Sequence, residues 1–207
     1  MLRKKILSII MIICLFCINS LTVLAAEQED VSAPQSEGKM VVTNQRTGEK
    51  AVLPAKCIEE RVLEQRSANG SKIVEKGYEV TALFDKDNNL ITTASDESQT
   101  TTSEKYGWKA KVYIAYEDDG SKIRFYFTSG SWTNVGSTSY KISNRNCTYG
   151  YQFGIWSKTV DKDLTGNFTF TTGFDAFKYG TGSFFGCNSR ATISNGYTLE
   201  TICNVNL

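Results

Sequence analysis

Beyond its first third, the chain alternates apolar residues with polar or small ones, a period of two that is typical of strands with one buried face. The clearest run places five apolar residues on one face: Trp108, Ala110, Val112, Ile114 and Tyr116. Turn residues at 118–120 separate this run from a partner run at 123–127. The polar cluster 85–89 separates 80–84 from 90–92 in the same way, and both arrangements predict antiparallel hairpins.

Shorter alternating segments recur up to the C-terminus, with glycine and serine in the gaps between them. No segment of the domain shows a sustained period of 3.6 residues, although 57–65 fits a helical turn as well as a strand. Many short strands joined by regular turns predict an all-β fold, an antiparallel two-sheet sandwich of the immunoglobulin-like or jelly-roll-like kind. A small open barrel is the alternative.

Four cysteines fall in the predicted domain, and their even number favours two stabilising disulfides: Cys57, Cys147, Cys187 and Cys203. A three-residue loop at 194–196 gathers the apolar residues of the final hairpin on one face, and this register sets Cys187 opposite Cys203. We therefore expect bonds between Cys187 and Cys203 and between Cys57 and Cys147. Four cysteines allow three pairings, and the sequence leaves the other two open.

The first 25 residues have the three parts of a cleaved export signal: a basic start, an apolar run at 6–17 and a small residue at Ala25. Residues 26–39 are mostly polar and acidic, so we expect a disordered lead there and a single β-rich domain at 40–207. These features predict a secreted protein, extracellular or associated with the cell surface. No other stretch is apolar enough to span a membrane after the signal is removed.

Charge and composition exclude several functions. Signal removal takes three of the 23 basic residues, which leaves 20 against 22 acidic residues, a net charge of −2. A chain without a basic excess is a poor partner for nucleic acid. The sequence contains no histidine, so Ser-His-Asp and Cys-His catalysis and histidine-ligated metals are excluded, and no motif indicates another metal or a cofactor. Pairs of carboxylates still permit glycoside hydrolysis, although most acidic residues lie in turns, in the lead or on wet strand faces.

Aromatic residues are the best candidates for a binding site. Four of them cluster or lie in glycine- and serine-rich sequence, with an arginine between two asparagines beside them: Trp132, Tyr149, Tyr151, Trp156 and Arg145. Exposed aromatic rings with a hydrogen-bonding edge are common in glycan and protein binding sites, and arginine binds carboxylates. The alternative is that the rings fill the core and the arginine pairs within the fold.

Three stretches of the chain resemble a loose set of small secreted β-rich proteins of Gram-positive, clostridia-like bacteria: 142–150, 171–174 and 203–207. The resemblance extends over roughly residues 108–207. It implies a secreted β-rich protein and carries no activity with it.

Together these observations favour a non-catalytic secreted domain that binds an extracellular glycan, a cell-wall polymer or a protein. A carboxylate-dependent glycoside hydrolase on the same scaffold is one alternative. A secreted antibacterial or toxin-like protein is another, suggested by the size, the export signal and the cysteines.

Overall fold

A computed structural model describes residues 35–66, 70–91, 106–136, 140–178, 180 and 182–207. The predicted export signal and most of the predicted lead lie outside these ranges. The described residues form thirteen strands and no helix. In chain order the strands are β1 (Gln35–Asn44), β2 (Lys50–Pro54), β3 (Lys56–Arg66), β4 (Ser71–Phe84), β5 (Leu90–Ile91), β6 (Tyr106–Asp118), β7 (Lys122–Val135), β8 (Ile142–Phe153), β9 (Trp156–Leu164), β10 (Phe168–Thr171), β11 (Phe177–Lys178), β12 (Phe184–Ile193) and β13 (Tyr197–Asn206). The first strand begins at Gln35, earlier than the domain start predicted at Met40.

The strands form two antiparallel sheets. Sheet A has the order β2-β1-β13-β12-β8-β9, and sheet B has the order β10-β7-β6-β4-β3, with β11 on β7 and β5 on β4. Both sheets keep free edge strands, so neither closes into a barrel. The predicted all-β class with two antiparallel sheets is confirmed, and the alternative of a small barrel is not.

The core lies between the two sheets and has two apolar clusters. One cluster joins Phe185 and Val205 of sheet A to Ile114 and Phe125 of sheet B. The other joins residues of both sheets in the same way: Met40, Val42, Leu53, Ala191, Ile193 and Leu199 of sheet A, and Val80, Ala82, Phe84, Ala110 and Trp132 of sheet B. Each sheet therefore buries one face against the other, and this burial of apolar surface is the main force that holds the domain together.

The final hairpin has the predicted register. Ile193 lies opposite Tyr197, and Cys187 lies opposite Cys203. The loop at 194–196 closes with a backbone hydrogen bond from Gly196 N to Ile193 O of 3.1 Å, and Gly196 has a φ of 91°. A positive φ of this size favours glycine, which explains why the hairpin turns here.

The ambiguous segment 57–65 is a strand. It belongs to β3, which pairs with β4 over its length, with two bulges between Cys57 and Glu59 and between Val62 and Glu64. Tertiary pairing with a long neighbouring strand therefore overrides the helical periodicity of this segment. The bulges and the charged residues of β3 keep this free edge from presenting a regular ladder.

The predicted disulfides are not present. All four described cysteines are free thiols, and Cys57 is exposed on sheet B whereas Cys147 is buried in sheet A. Cys187 and Cys203 are opposite each other, but the sulfur of Cys187 lies 3.3 Å from that of Cys147. The reason is that β8 lies on the other side of β12 and places Cys147 diagonally beside Cys187, a neighbour that the hairpin pattern did not include.

Candidate functional site

Two glycines lie side by side on the outer face of sheet A. Gly150 of β8 pairs with Gly186 of β12, one strand in from the edge strand β9. Their neighbours Tyr149 and Cys187 belong to the buried core, so the alternation of the strands directs positions 150 and 186 away from it. The absence of two adjacent side chains leaves a groove in this face.

The groove runs across the strands. Its two walls are formed by the paired residues that lie two positions before and two positions after the glycines. Its volume is about 360 Å³. Thr159 of β9 and Asn204 of β13 continue the glycine row at either end. The side chains of the two walls are Ser157, Gln152 and Phe184 on one side and Thr148 and Asn188 on the other.

No charged residue lines the groove, whose surface is largely apolar with uncharged polar groups distributed over it. Three carboxamides and three hydroxyls face it: Gln152, Asn188, Asn204, Thr148, Ser157 and Thr159. Phe184 adds one aromatic ring, with 37% of the residue exposed. Carboxamides and hydroxyls both donate and accept hydrogen bonds, so this surface suits a ligand that is rich in neutral donors and acceptors.

Two carboxylates on the same face hold wall residues in place. Asn188 Nδ2 donates to Glu200 Oε1, and the Thr148 hydroxyl donates to Asp161 Oδ1 at 2.5 Å. Neither carboxylate lines the groove. With its amide nitrogen bound in this way, Asn188 turns Oδ1 into a buried position where it accepts no hydrogen bond from the described residues. The Asn188 amide is therefore held within the fold, with its nitrogen on Glu200 and its oxygen buried.

Any residue other than glycine at either position would bring its Cβ too close to a neighbouring strand. A Cβ on Gly150 would clash with Lys158 O of the next strand, and a Cβ on Gly186 would clash with Cys203 O and with the side chain of Asn204. A glycine inside a strand often marks a close approach of another backbone. The groove is therefore a consequence of how tightly β8, β9, β12 and β13 pack at this point.

The aromatic residues predicted for binding lie on the opposite side of the same strands. Tyr149 is buried and its ring stacks on Phe170 at 5.7 Å. Tyr151 is half-buried, and its ring lies 4.4 Å from that of Phe177 and 5.1 Å from that of Phe174. The structure thus brings Tyr149 and Tyr151 together, but in the core-facing aromatic cluster and with only their backbone along the groove.

Trp132 and Arg145 do not line the groove. Trp132 is buried in the core, where its Nε1 donates to Ser189 Oγ at 3.0 Å, so its ring has no free face for a ligand. Arg145 donates from Nη2 to Thr165 O and pairs within the fold. Trp156 begins β9, and its side chain lies outside the description.

A second cavity, of about 400 Å³, lies where three loops meet at one end of the domain. Asn88 and Asn195 exchange hydrogen bonds there, with Asn195 Nδ2 donating to Asn88 Oδ1 at 2.8 Å and Asn88 Nδ2 donating to Asn195 O at 3.0 Å. The Tyr197 hydroxyl donates to Asn88 O at 3.3 Å. These hydrogen bonds join the loops to one another, although Asn195 Oδ1 is buried without a partner among the described residues.

Sequence reasoning missed Gln152, Phe184, Asn188 and Asn204. A signal for half of the site was available, because the predicted hairpin register places Gly186 between the outward positions 184 and 188. The other half depends on the pairing of β8 with β12, two strands separated by some thirty residues of chain. No periodicity or turn signal links strands at that distance.

Comparison with known proteins finds no match for this chain among family models, curated proteins or solved structures. Within the described ranges, no group of three or more cysteine or carboxylate side chains is arranged to hold a metal ion. The search for membrane spans over those same ranges finds no helix of sufficient length and apolarity.

Proposed function

We propose that the protein is a secreted, non-catalytic binding module that holds a neutral extracellular glycan in the groove of sheet A. The observation that carries the proposal is the groove itself: a glycine-floored channel lined by amides and hydroxyls, with one exposed phenylalanine and no charged side chain. The expected export signal supports an extracellular ligand. Lectin domains are commonly built on jelly-roll sandwiches, and the predicted fold is of that general kind.

The lining matches the chemistry of a sugar. Each sugar hydroxyl donates and accepts hydrogen bonds, and so do the amides of Gln152 and Asn204. The C–H face of a sugar ring packs on an aromatic ring, and Phe184 is the one aromatic side chain that lines the groove on its outer side. A charged wall polymer has no partner here, because no Lys or Arg lines the groove.

The groove has the length for a chain rather than a single sugar. It crosses β9, β8, β12 and β13, and three steps of about 4.8 Å between strands give roughly 14 Å. The groove suits a protein partner less well than a glycan. Stable protein interfaces centre on buried aromatic or arginine anchors, and the groove offers Phe184 alone.

The test is retention of the purified full chain on a panel of insoluble neutral polysaccharides and purified cell walls, with released sugar measured in the same tubes. We expect retention on at least one neutral glycan without release of sugar. Sugar release would favour the alternative of a carboxylate-dependent glycoside hydrolase. Absence of retention on every glycan would refute the proposal.

Three variants locate the site. Gln152→Ala and Phe184→Ala each remove one wall contact of an exposed side chain, so we expect affinity to fall about three- to tenfold per substitution, equivalent to roughly 0.5–1.5 kcal/mol. Val52→Ala is the matched control, because Val52 is an exposed apolar residue (61% exposed) on β2, three strands away from β12 in the same sheet. Retention that Val52→Ala weakens as much as Phe184→Ala would place binding outside the groove.

A further inference from the structure

Three cysteines converge on the core side of the strands that carry the groove. They come from three adjacent strands of sheet A: Cys147 of β8, Cys187 of β12 and Cys203 of β13. Their exposed fractions are 0%, 2% and 0%. All three belong to the same apolar cluster of the core.

We propose that Cys147 and Cys187 are a disulfide-forming pair, which closes when the chain folds in contact with a disulfide oxidant. Their sulfur atoms are 3.3 Å apart. A disulfide bond is about 2.05 Å long, so closure needs the sulfurs to approach by a little over 1 Å. Cys187 Sγ has its contact with Cys147, although Cys203 is its direct partner in the hairpin register.

Cys57 is not a partner for this pair. It is exposed on β3 of sheet B, and its thiol points to the carbonyl oxygen of Glu59 at 3.6 Å. Closure of the pair leaves Cys203 as a buried thiol and Cys57 as an exposed one. The inference is independent of the proposed glycan site, because it depends on the core side of β8 and β12 alone.

The reaction is a thiol–disulfide exchange. The thiolate of one cysteine attacks a disulfide R–S–S–R, which forms a mixed disulfide and releases one thiolate RS⁻. The second cysteine attacks the mixed disulfide and releases the other RS⁻. In balance, two protein S–H bonds are lost, one S–S bond forms, and two electrons and two protons reduce R–S–S–R to two R–SH.

This exchange must take place before the core closes. Both thiols are almost completely buried, so an oxidant has no access to them in the folded chain. The hydrogen bond with Cys187 and burial also raise the pKa of the Cys147 thiol, which keeps it in the unreactive protonated form. We therefore expect the bond to form during folding and the folded, reduced protein to resist oxidation.

The experiment maps the bonds of the full chain after expression in an oxidising bacterial periplasm, where protein disulfides act as the oxidant. Free thiols are alkylated at once, and the unreduced protein is digested with trypsin. The chain separates its cysteines well: Cys147 falls in 146–158, Cys187 in 179–190, Cys203 in 191–207 and Cys57 in 57–61. A link between 146–158 and 179–190 is the expected result. A link that joins Cys187 to Cys203, a link that involves Cys57, or alkylation of all four thiols overturns the proposal.

Two variants and a stability measurement separate the pair from its neighbour. Cys203→Ser is the matched control, since it removes a buried thiol of the same cluster and should keep the link, whereas Cys187→Ser should lose it. Closing the chain between residues 147 and 187 restricts the unfolded state. We expect reduction of the wild-type protein to raise its unfolding equilibrium constant by two to three orders of magnitude, and to leave that of Cys187→Ser nearly unchanged.

Discussion

Replacement of Trp132 by phenylalanine tests whether the indole serves the core or a ligand. Trp132 lies on β7 of sheet B, and its Nε1 donates to Ser189 Oγ on β12 of sheet A. This hydrogen bond is a polar link between the two sheets inside the core. Both partners are inaccessible, with 7% of Trp132 and 1% of Ser189 exposed.

The expected loss follows from what the substitution leaves behind. Trp132→Phe keeps an aromatic ring but leaves the Ser189 hydroxyl buried without its donor, which costs about 1–3 kcal/mol. The smaller ring also leaves unfilled space, which adds about 1 kcal/mol. The reverse change, Ser189→Ala, leaves the indole N–H unpaired at a similar cost of about 1–3 kcal/mol.

Urea unfolding of the two single variants and the double variant measures the link directly. Since the double variant has neither orphaned group, its free energy of unfolding should exceed the additive expectation by about 1–2 kcal/mol. Glycan retention by Trp132→Phe should equal that of the wild type. Additive losses in the cycle, or a loss below about 0.5 kcal/mol in Trp132→Phe, would contradict the structure's placement of this residue.

Three further predictions concern the core and its charged edge. Burial raises the pKa of Tyr78 to about 12, against about 10 in the unfolded chain. The neutral phenol therefore stabilises the fold below pH 10, and this contribution is lost as the pH rises towards 12. In urea unfolding at alkaline pH, Tyr78→Phe should show a smaller fall of the unfolding free energy between pH 10 and 12 than the wild type. Phe185→Ala removes a fully buried ring that lies 5.2 Å from the ring of Phe125, and we expect a loss of about 3–5 kcal/mol in urea unfolding. Arg61→Ala leaves the buried Glu75 carboxylate without the guanidinium 2.7 Å away, so thermal unfolding at low ionic strength should occur at a lower temperature than in the wild type. Added salt should reduce this difference, because Arg61 itself is exposed.

Local patterns predicted the hairpins well, because each hairpin is specified within a short stretch of chain. The register of the last two strands follows from a three-residue loop and from the requirement that apolar residues share a face. The sheet order was not predictable in the same way. The pairing of β12 with β8 joins distant parts of the chain, and its choice depends on how two whole sheets pack.

The final hairpin determines the position of two cysteines but not which thiol each one contacts. The hairpin correctly placed Cys187 and Cys203 opposite each other, yet opposition along a ladder decides only where the Cα atoms lie. The direction in which the Cys187 thiol points also depends on the strand on the other side of β12. Cys147 enters from β8 and takes the contact with Cys187, and the hairpin pattern held no information about that strand.

The relation between the aromatic cluster and the groove follows from the period of two. On β8 the odd positions Tyr149 and Tyr151 face the core and the even positions Gly150 and Gln152 face outward. The sequence alone suggests the large rings of Tyr149 and Tyr151 as binding residues. In a two-sheet sandwich, however, those rings stabilise the fold most when they are buried between the sheets. The surface left for a ligand is then made by the residues between them, which are small or carry amides. In this domain the strand that carries Tyr149 and Tyr151 on its core face therefore carries the groove on its outer face.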